Sequence, residues 1–127
     1  MTPTPAVVVH AWLAAVNAGD VEAVLARSAP DVAMIGPRGT DTGHEVLRGW
    51  LQHAGATFET HATYARGNAV VVAQRGVWQA PHGGTPSTVN VATRFRVAAG
   101  CVAELERYDD LAAALRAVGL TLEDAAH

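Results

Sequence analysis

From Pro5 to Asn17 the apolar residues Val8, Trp12, Ala15 and Val16 recur at close to helical spacing, and the run N-A-G-D (17–20) closes that helix at Gly19. Asp20 is a good N-cap for a short second helix with Val21, Val24 and Leu25 as its apolar face. D-V-A-M-I-G (31–36) reads as a strand ended by Pro37, and P-R-G-T-D-T-G (37–43) as a polar loop rich in turn residues. Helical spacing returns with Val46, Leu47, Trp50 and Leu51, in a third helix over 44–54 capped by Thr42 or Gly43. From Thr57 onward the period falls to two. Runs at 57–65 and 69–80 meet at Gly67-Asn68 in a tight hairpin, and P-H-G-G-T-P-S (81–87) breaks the sheet. Runs at 88–97 and 101–108 form a last hairpin, followed by a terminal helix from Asp110 to Gly119. This order predicts a single α+β domain over residues 1–127, with helices on one face of a mostly antiparallel sheet.

Alternation in the last hairpin raises a chemical question. With the turn at Ala98 to Gly100, Val97 is expected opposite Cys101 and Arg94 opposite Glu104. One face then carries Val91, Thr93, Phe95, Ala103, Leu105 and Arg107; the other carries Ala92, Arg94, Arg96, Glu104 and Glu106 as cross-strand ion pairs. Arg107 is thus sent inward, where a guanidinium needs a carboxylate partner or an anionic ligand. Asp109, two residues on, is the nearest partner by sequence, so a structural pair and a ligand-binding arginine both fit. A two-residue turn at Gly67-Asn68 puts Phe58, Ala62 and Tyr64 on one face with Val71, Ala73, Arg75 and Val77, which makes Arg75 a second candidate for the interior.

Composition narrows the chemistry. Half of the 127 residues are hydrophobic and 17% are charged, as in a compact globular domain. The formal charge is -3, with no lysine and nine scattered arginines, so no basic stripe is expected to meet nucleic acid, and Schiff-base and P-loop lysine chemistry are excluded. The amino terminus has no signal-like pattern, no window approaches 18 apolar residues, and Cys101 stands alone; these predict a cytoplasmic protein without a membrane partner. The alanine- and arginine-rich usage suggests a bacterium. The six histidines (10, 44, 53, 61, 82 and 127) show no metal-ligand spacing, and neither Ser28 nor Ser87 sits in a nucleophile elbow. His44 and His82 are expected in solvent.

The runs W-L-A-A-V-N-A-G-D-V-E-A-V-L-A-R-S-A-P-D-V-A-M-I-G-P (12–37) and T-G-H-E-V-L-R-G-W-L (42–51), followed by a strand-rich second half, resemble the nuclear transport factor 2-like superfamily, in particular SnoaL-like proteins and ketosteroid isomerases. The resemblance covers residues 5 to 118. It implies a cone-shaped, cystatin-like fold, in which a strongly curved sheet wraps around helices and an apolar cavity, and a homodimer through the other sheet face. A ketosteroid isomerase uses an aspartate base, a tyrosine and a protonated aspartic acid. The matching positions here hold Gly36, Trp12 and Thr93, none of which can fill those roles. In limonene epoxide hydrolase-like members a catalytic aspartate sits where this chain has Arg107, and no carboxylate matches the acid/base group of SnoaL-type cyclases.

The expected pocket is lined by Trp12, Met34, Trp50, Phe58, Arg75, Thr93, Leu105 and Arg107. It is expected to hold a small hydrophobic or amphipathic, anionic molecule without any cofactor or metal. The alternative is a cofactor-free isomerase, cyclase or dehydratase acting by proton transfer, with Asp109, Asp31 or His61 as base. A third reading is a dimerising scaffold whose cavity is filled by Trp12, Trp50 and Phe58, with Arg107 fully paired.

Overall fold

The computed structural model describes residues 4–36, 39–54, 56–78, 84–85 and 87–125, without the side chains of residues 53, 54 and 56. His82 and His127 lie outside the described residues. Helix α1 (Pro5–Asn17) starts where the Thr4 side chain accepts from Val7 N, with Pro5 in the first turn, where a missing N–H costs nothing. Asp20 caps α2 (Val21–Ala26) through Ala23 N, so the N-A-G-D run is a helix end and a helix start in four residues. Gly19 takes the left-handed conformation between them (φ 71°).

Strands β1 (Ser28–Gly36) and β2 (Gly39–Thr42), helix α3 (His44–Ala54) and strands β3 (Ala56–Arg66), β4 (Ala69–Trp78), β5 (Ser87–Ala98) and β6 (Cys101–Tyr108) follow, then α4 (Leu111–Ala117) and a 3-10 turn (Leu122–Asp124). The six strands form one curved sheet in the order β2-β1-β6-β5-β4-β3, parallel only where β1 meets β6. The polar segment expected to be a loop therefore contributes an edge strand. Its Gly39–Thr42 part pairs with Ala33–Gly36, although all four residues are exposed and carry no hydrophobic alternation.

Helices α1 to α3 pack on the inner face, around Val9, Trp12, Leu47, Val72, Phe95 and Val102. Helix α4 does not join them. Its Ala114 and Leu115 cover Tyr64, Val71 and Ala92 on the opposite face, so the helices lie on both sides of the sheet. An outer face bearing those apolar residues needs cover, and the Leu111, Leu115 and Leu120 stripe supplies it. No helix among the described residues is long and apolar enough to cross a membrane.

Two bulges decide which residues face inward. In the last hairpin the turn is the two-residue pair Ala99-Gly100, both at positive φ, with Ala98 opposite Cys101. A register shift then places Arg96 opposite Glu104 and Arg94 opposite Glu106. Beyond the shift the expected register is off by two residues, which leaves the faces of Thr93, Phe95, Leu105 and Arg107 unchanged; at the turn it is off by one, and Val102 joins the inner core. In β3 the shift falls between Thr60 and Ala62: Phe58 opposes Gly76 and Thr60 opposes Gln74, but Ala62 opposes Ala73 and Tyr64 opposes Val71. His61 is the extra residue. It puts Phe58 on the inner face and Ala62 and Tyr64 on the outer one.

Candidate functional site

The inner face of the sheet and helices α1 and α3 line a cavity of about 130 Å³. Helix α1 contributes Trp12, Leu13 and Val16, and β1 contributes Met34 and Ile35. Trp12 is 2% exposed. Its indole N–H donates to Ser28 Oγ at 2.9 Å, Ser28 donates on to Val24 O at 2.7 Å, and the ring packs edge-on to Phe95 at 5.5 Å. A tryptophan with its polar handle satisfied in the core is a fixed wall. His44, expected in solvent, instead bonds through Nε2 to the Ser28 carbonyl at 3.0 Å.

Phe58 is held from the other side. Asn17 donates from Nδ2 to Phe58 O at 2.7 Å and accepts from Phe58 N at 2.8 Å. Because β3 is an edge strand, these two bonds replace a missing ladder partner and tie the end of α1 to the cavity rim.

The rim carries an aromatic cage around Arg107. The guanidinium carbon lies 5.0 Å from the Phe58 ring centre, 5.6 Å from that of Trp50 and 5.8 Å from that of Trp78. Each distance is within the range of a cation–π attraction. Phe58 and Trp78 meet edge-to-face at 5.8 Å. Arg107 is exposed as a residue rather than buried, yet burial of its head group lowers its pKa from the ordinary arginine value, and the charge of Asp109 opposes that only in part. The three rings around the guanidinium account for the lowered value, while the residue as a whole keeps exposed surface at the mouth. It remains charged at neutral pH. No carboxylate lies within 4.0 Å of it among the described residues, so the expected alternative of a close structural pair with Asp109 is not formed.

The polar groups of the cavity interior are Thr93 and Gln74. Gln74 is 3% exposed, and its Oε1 accepts from Thr93 Oγ1 at 3.1 Å. Its Nε2 is buried without a partner among the described residues.

Of the residues expected in the pocket, Trp12, Met34, Trp50, Phe58, Thr93, Leu105 and Arg107 come together around this cavity. Arg75 does not. It sits opposite Glu59 and Asn90 on the outer face and is exposed, because the bulge at His61 puts Phe58 out of phase with Tyr64 and so reverses the face inferred for β4. Gln74 and Trp78, the residues on either side of the expected face, are the ones that point inward. The signal that finds them is parity within β4, where Val70, Val72 and Gln74 alternate with Val71, Ala73 and Arg75.

None of the proposed bases lines the cavity. Asp31 is exposed on β1. His61 and Asp109 border a shallow depression with Asn90 and Leu111, and Asp109 also borders one beside Arg107 at the outer rim. His61 lies 3.7 Å from Glu59. Gly36, Trp12 and Thr93, at the positions equivalent to the isomerase groups, supply an exposed strand end, a core indole and a hydroxyl already used by Gln74. Among the described residues no group of three or more His, Cys, Asp or Glu side chains is placed to hold a metal ion.

On the outer face Arg94 pairs with Glu104 at 2.6 Å and Glu106 at 2.9 Å, and Arg96 with Glu104 at 3.5 Å. Tyr108 donates to Glu106 at 2.7 Å. This is a cross-strand ion ladder away from the cavity.

Solved structures share this architecture. An NTF2-like protein of unknown function from Cytophaga hutchinsonii is 18% identical, with a TM-score of 0.74 over 94% of this chain and 97% of that one. A hypothetical protein with a ketosteroid isomerase-like fold from Catenulispora acidiphila, in complex with trimethylamine, is 24% identical, with a TM-score of 0.72 over 97% and 98%. A putative polyketide cyclase from Sinorhizobium meliloti is 21% identical, with a TM-score of 0.68 over 80% and 93%. No curated protein matches the chain. These likenesses are of fold, but the SnoaL-like domain model itself matches residues 9–105, and on that match the chain belongs to the SnoaL-like domain family.

Proposed function

We propose that this protein binds a small, largely apolar anionic molecule in its cavity, with Arg107 as the charge-recognising group at the mouth. The observation that carries the reading is a guanidinium held over three aromatic rings, without a carboxylate within 4.0 Å among the described residues, at the opening of an apolar chamber. Desolvation by the rings strengthens an electrostatic contact to an incoming anion, and the planar fork suits a carboxylate.

The alternative, a cofactor-free isomerase, cyclase or dehydratase, needs a base that reaches the substrate. None of the described lining residues is an aspartate, glutamate or histidine, so proton transfer would have to recruit Asp109 from the outer rim. Binding is therefore the favoured reading.

Thermal unfolding of the wild type and Arg107→Ala with a panel of small aromatic and terpenoid acids tests it. A ligand at 100 times its Kd stabilises by about 2.7 kcal/mol. A shift in wild type that Arg107→Ala abolishes is expected. If no acid shifts the wild type, or the shift survives Arg107→Ala unchanged, Arg107 is not an anion receptor. The proposal extends to a homodimer through the part of the outer face that α4 leaves open, near Arg96 and Glu104; sedimentation is expected to give a dimer that Arg96→Glu weakens, and a monomeric wild type removes it.

A further inference from the structure

Arg107 accounts for one end of a ligand; the buried amide of Gln74 points to the other. With Oε1 occupied by Thr93, the Nε2 end is left without a partner among the described residues, in a residue 3% exposed. Turning the amide over only exchanges which end is left. Buried polar groups are nearly always hydrogen-bonded, and one left over beside a cavity is satisfied when a ligand atom reaches it.

The cavity limits what can do so. About 130 Å³ is the size of chamber that holds a single benzene-like ring, and lies below the range of about 300–1,000 Å³ typical of drug-sized ligands. Its walls are Leu105, Phe95, Met34 and Val16, which offer nothing to a second charge. A chamber of that volume is too small for a fused polycycle.

Resting on the anion-binding reading above, we propose that the ligand is a single-ring carboxylate bearing a second, hydrogen-bond-accepting oxygen, which Gln74 Nε2 recognises inside while Arg107 holds the carboxylate at the mouth. Thr93 is a positioning residue: by donating to Oε1 it keeps the N–H end of the amide available. Recognition of this kind discriminates, because an analogue without the acceptor leaves the amide unpaired in a dry site.

The test is titration calorimetry with 3- and 4-formylbenzoate against 3- and 4-vinylbenzoate, pairs of equal charge and similar shape that differ by O against CH2. The chain has no lysine, so the aldehyde meets no lysine amine. Wild type is expected to favour at least one formyl isomer over its vinyl twin by about tenfold, the effect of one buried hydrogen bond. Gln74→Leu should erase that preference and keep its affinity for vinylbenzoate, and Thr93→Val should narrow the preference. Equal binding of both twins by wild type, or a preference that survives Gln74→Leu, overturns the Gln74 assignment and leaves the anion site standing. If none of the four compounds binds wild type, the anion-binding reading fails and this inference with it.

Discussion

Gly76 is the position at which the aromatic cage is most exposed to a single change. It lies on the inner face of β4 outside the left-handed region, so an alanine there suffers no backbone strain. A Cβ built on it, however, falls 2.4 and 2.5 Å from two ring carbons of Trp78 and 3.3 Å from Phe58. Trp78 folds back over residue 76 because no side chain is there. Gly76→Ala must push the indole off, and two contacts go with it: the edge-to-face pair with Phe58 and the cation–π contact with Arg107. These are worth about 0.5–1.5 and about 0.5–1 kcal/mol. Replacing glycine by alanine within a strand returns about 0.5–1 kcal/mol of backbone entropy, so the net destabilisation is about 1 kcal/mol, within a range of about 0–2 kcal/mol. At this chain length a loss of about 1 kcal/mol lowers Tm by roughly 3–5 °C.

Urea unfolding gives the free energy, and tryptophan emission, red-shifted as the indole enters water, reports the displacement. The decisive comparison uses Trp78→Ala as background. With the indole gone, the same Gly76→Ala change loses its penalty and becomes neutral or stabilising by up to about 1 kcal/mol. A sign reversal between the two backgrounds is the expected result. If Gly76→Ala costs the same in both, the close approach of Trp78 to Gly76 is not what the glycine is for, and the cage geometry is wrong.

Asn17→Ala removes both bonds to Phe58 and is expected to cost about 1–3 kcal/mol in urea unfolding, while Asn17→Asp, which keeps the acceptor for Phe58 N, recovers part of it. Ala99, at φ 52°, sits where an L-residue is strained, so Ala99→Gly should stabilise by about 0.5–1 kcal/mol; a loss of stability refutes the turn geometry. Glu104 is pushed upward by burial, but the hydrogen bond and charge of Arg94, with help from Arg96, outweigh that and hold its pKa below the ordinary 4.5. A folded-state pKa below the unfolded one means stability that is present above 4.5 and lost as pH falls through the lower folded value. Arg94→Ala should therefore flatten the acid limb of the stability–pH curve; an unchanged slope removes the ladder's role.

What could be read from the chain followed from how parity behaves. The first helix rests on apolar spacing from Pro5 and the second on Asp20 as a local cap, and the structure starts α1 at Pro5 and caps α2 with Asp20. Thr93, Phe95, Leu105 and Arg107 keep their expected face although the register there is off by two, because an even slip preserves faces, whereas at the turn the slip is one and Val102 faces inward. Arg107 accordingly reached the cavity mouth. The same rule explains the failure in β3 and β4. A bulge adds one residue to one strand, an odd slip, and His61 carries no mark in T-F-E-T-H-A-T-Y-A that distinguishes it from a paired residue. Strict alternation therefore puts Phe58 and Tyr64 on one face and Arg75 inward with them, whereas the bulge turns Gln74 and Trp78 inward instead.

The consequence reaches the chemistry, since the exchange replaces a second cation by a neutral amide and an aromatic ring. Two arginines would favour an anionic amphipathic ligand. On the proposed reading, one arginine and one amide call for a single charge and an acceptor, on a molecule small enough for about 130 Å³. Helix α4 was misplaced for a different reason. An amphipathic stripe says that a helix has a buried side but not which of two apolar sheet faces receives it, and that choice is made here by Tyr64, Val71 and Ala92, residues from three different strands. On the proposed reading the ligand class thus turns on one extra residue in an edge strand; deleting His61 should carry Phe58 to the outer face and dissolve the cage, so that the Arg107-dependent thermal shift is lost, and an unchanged shift refutes it.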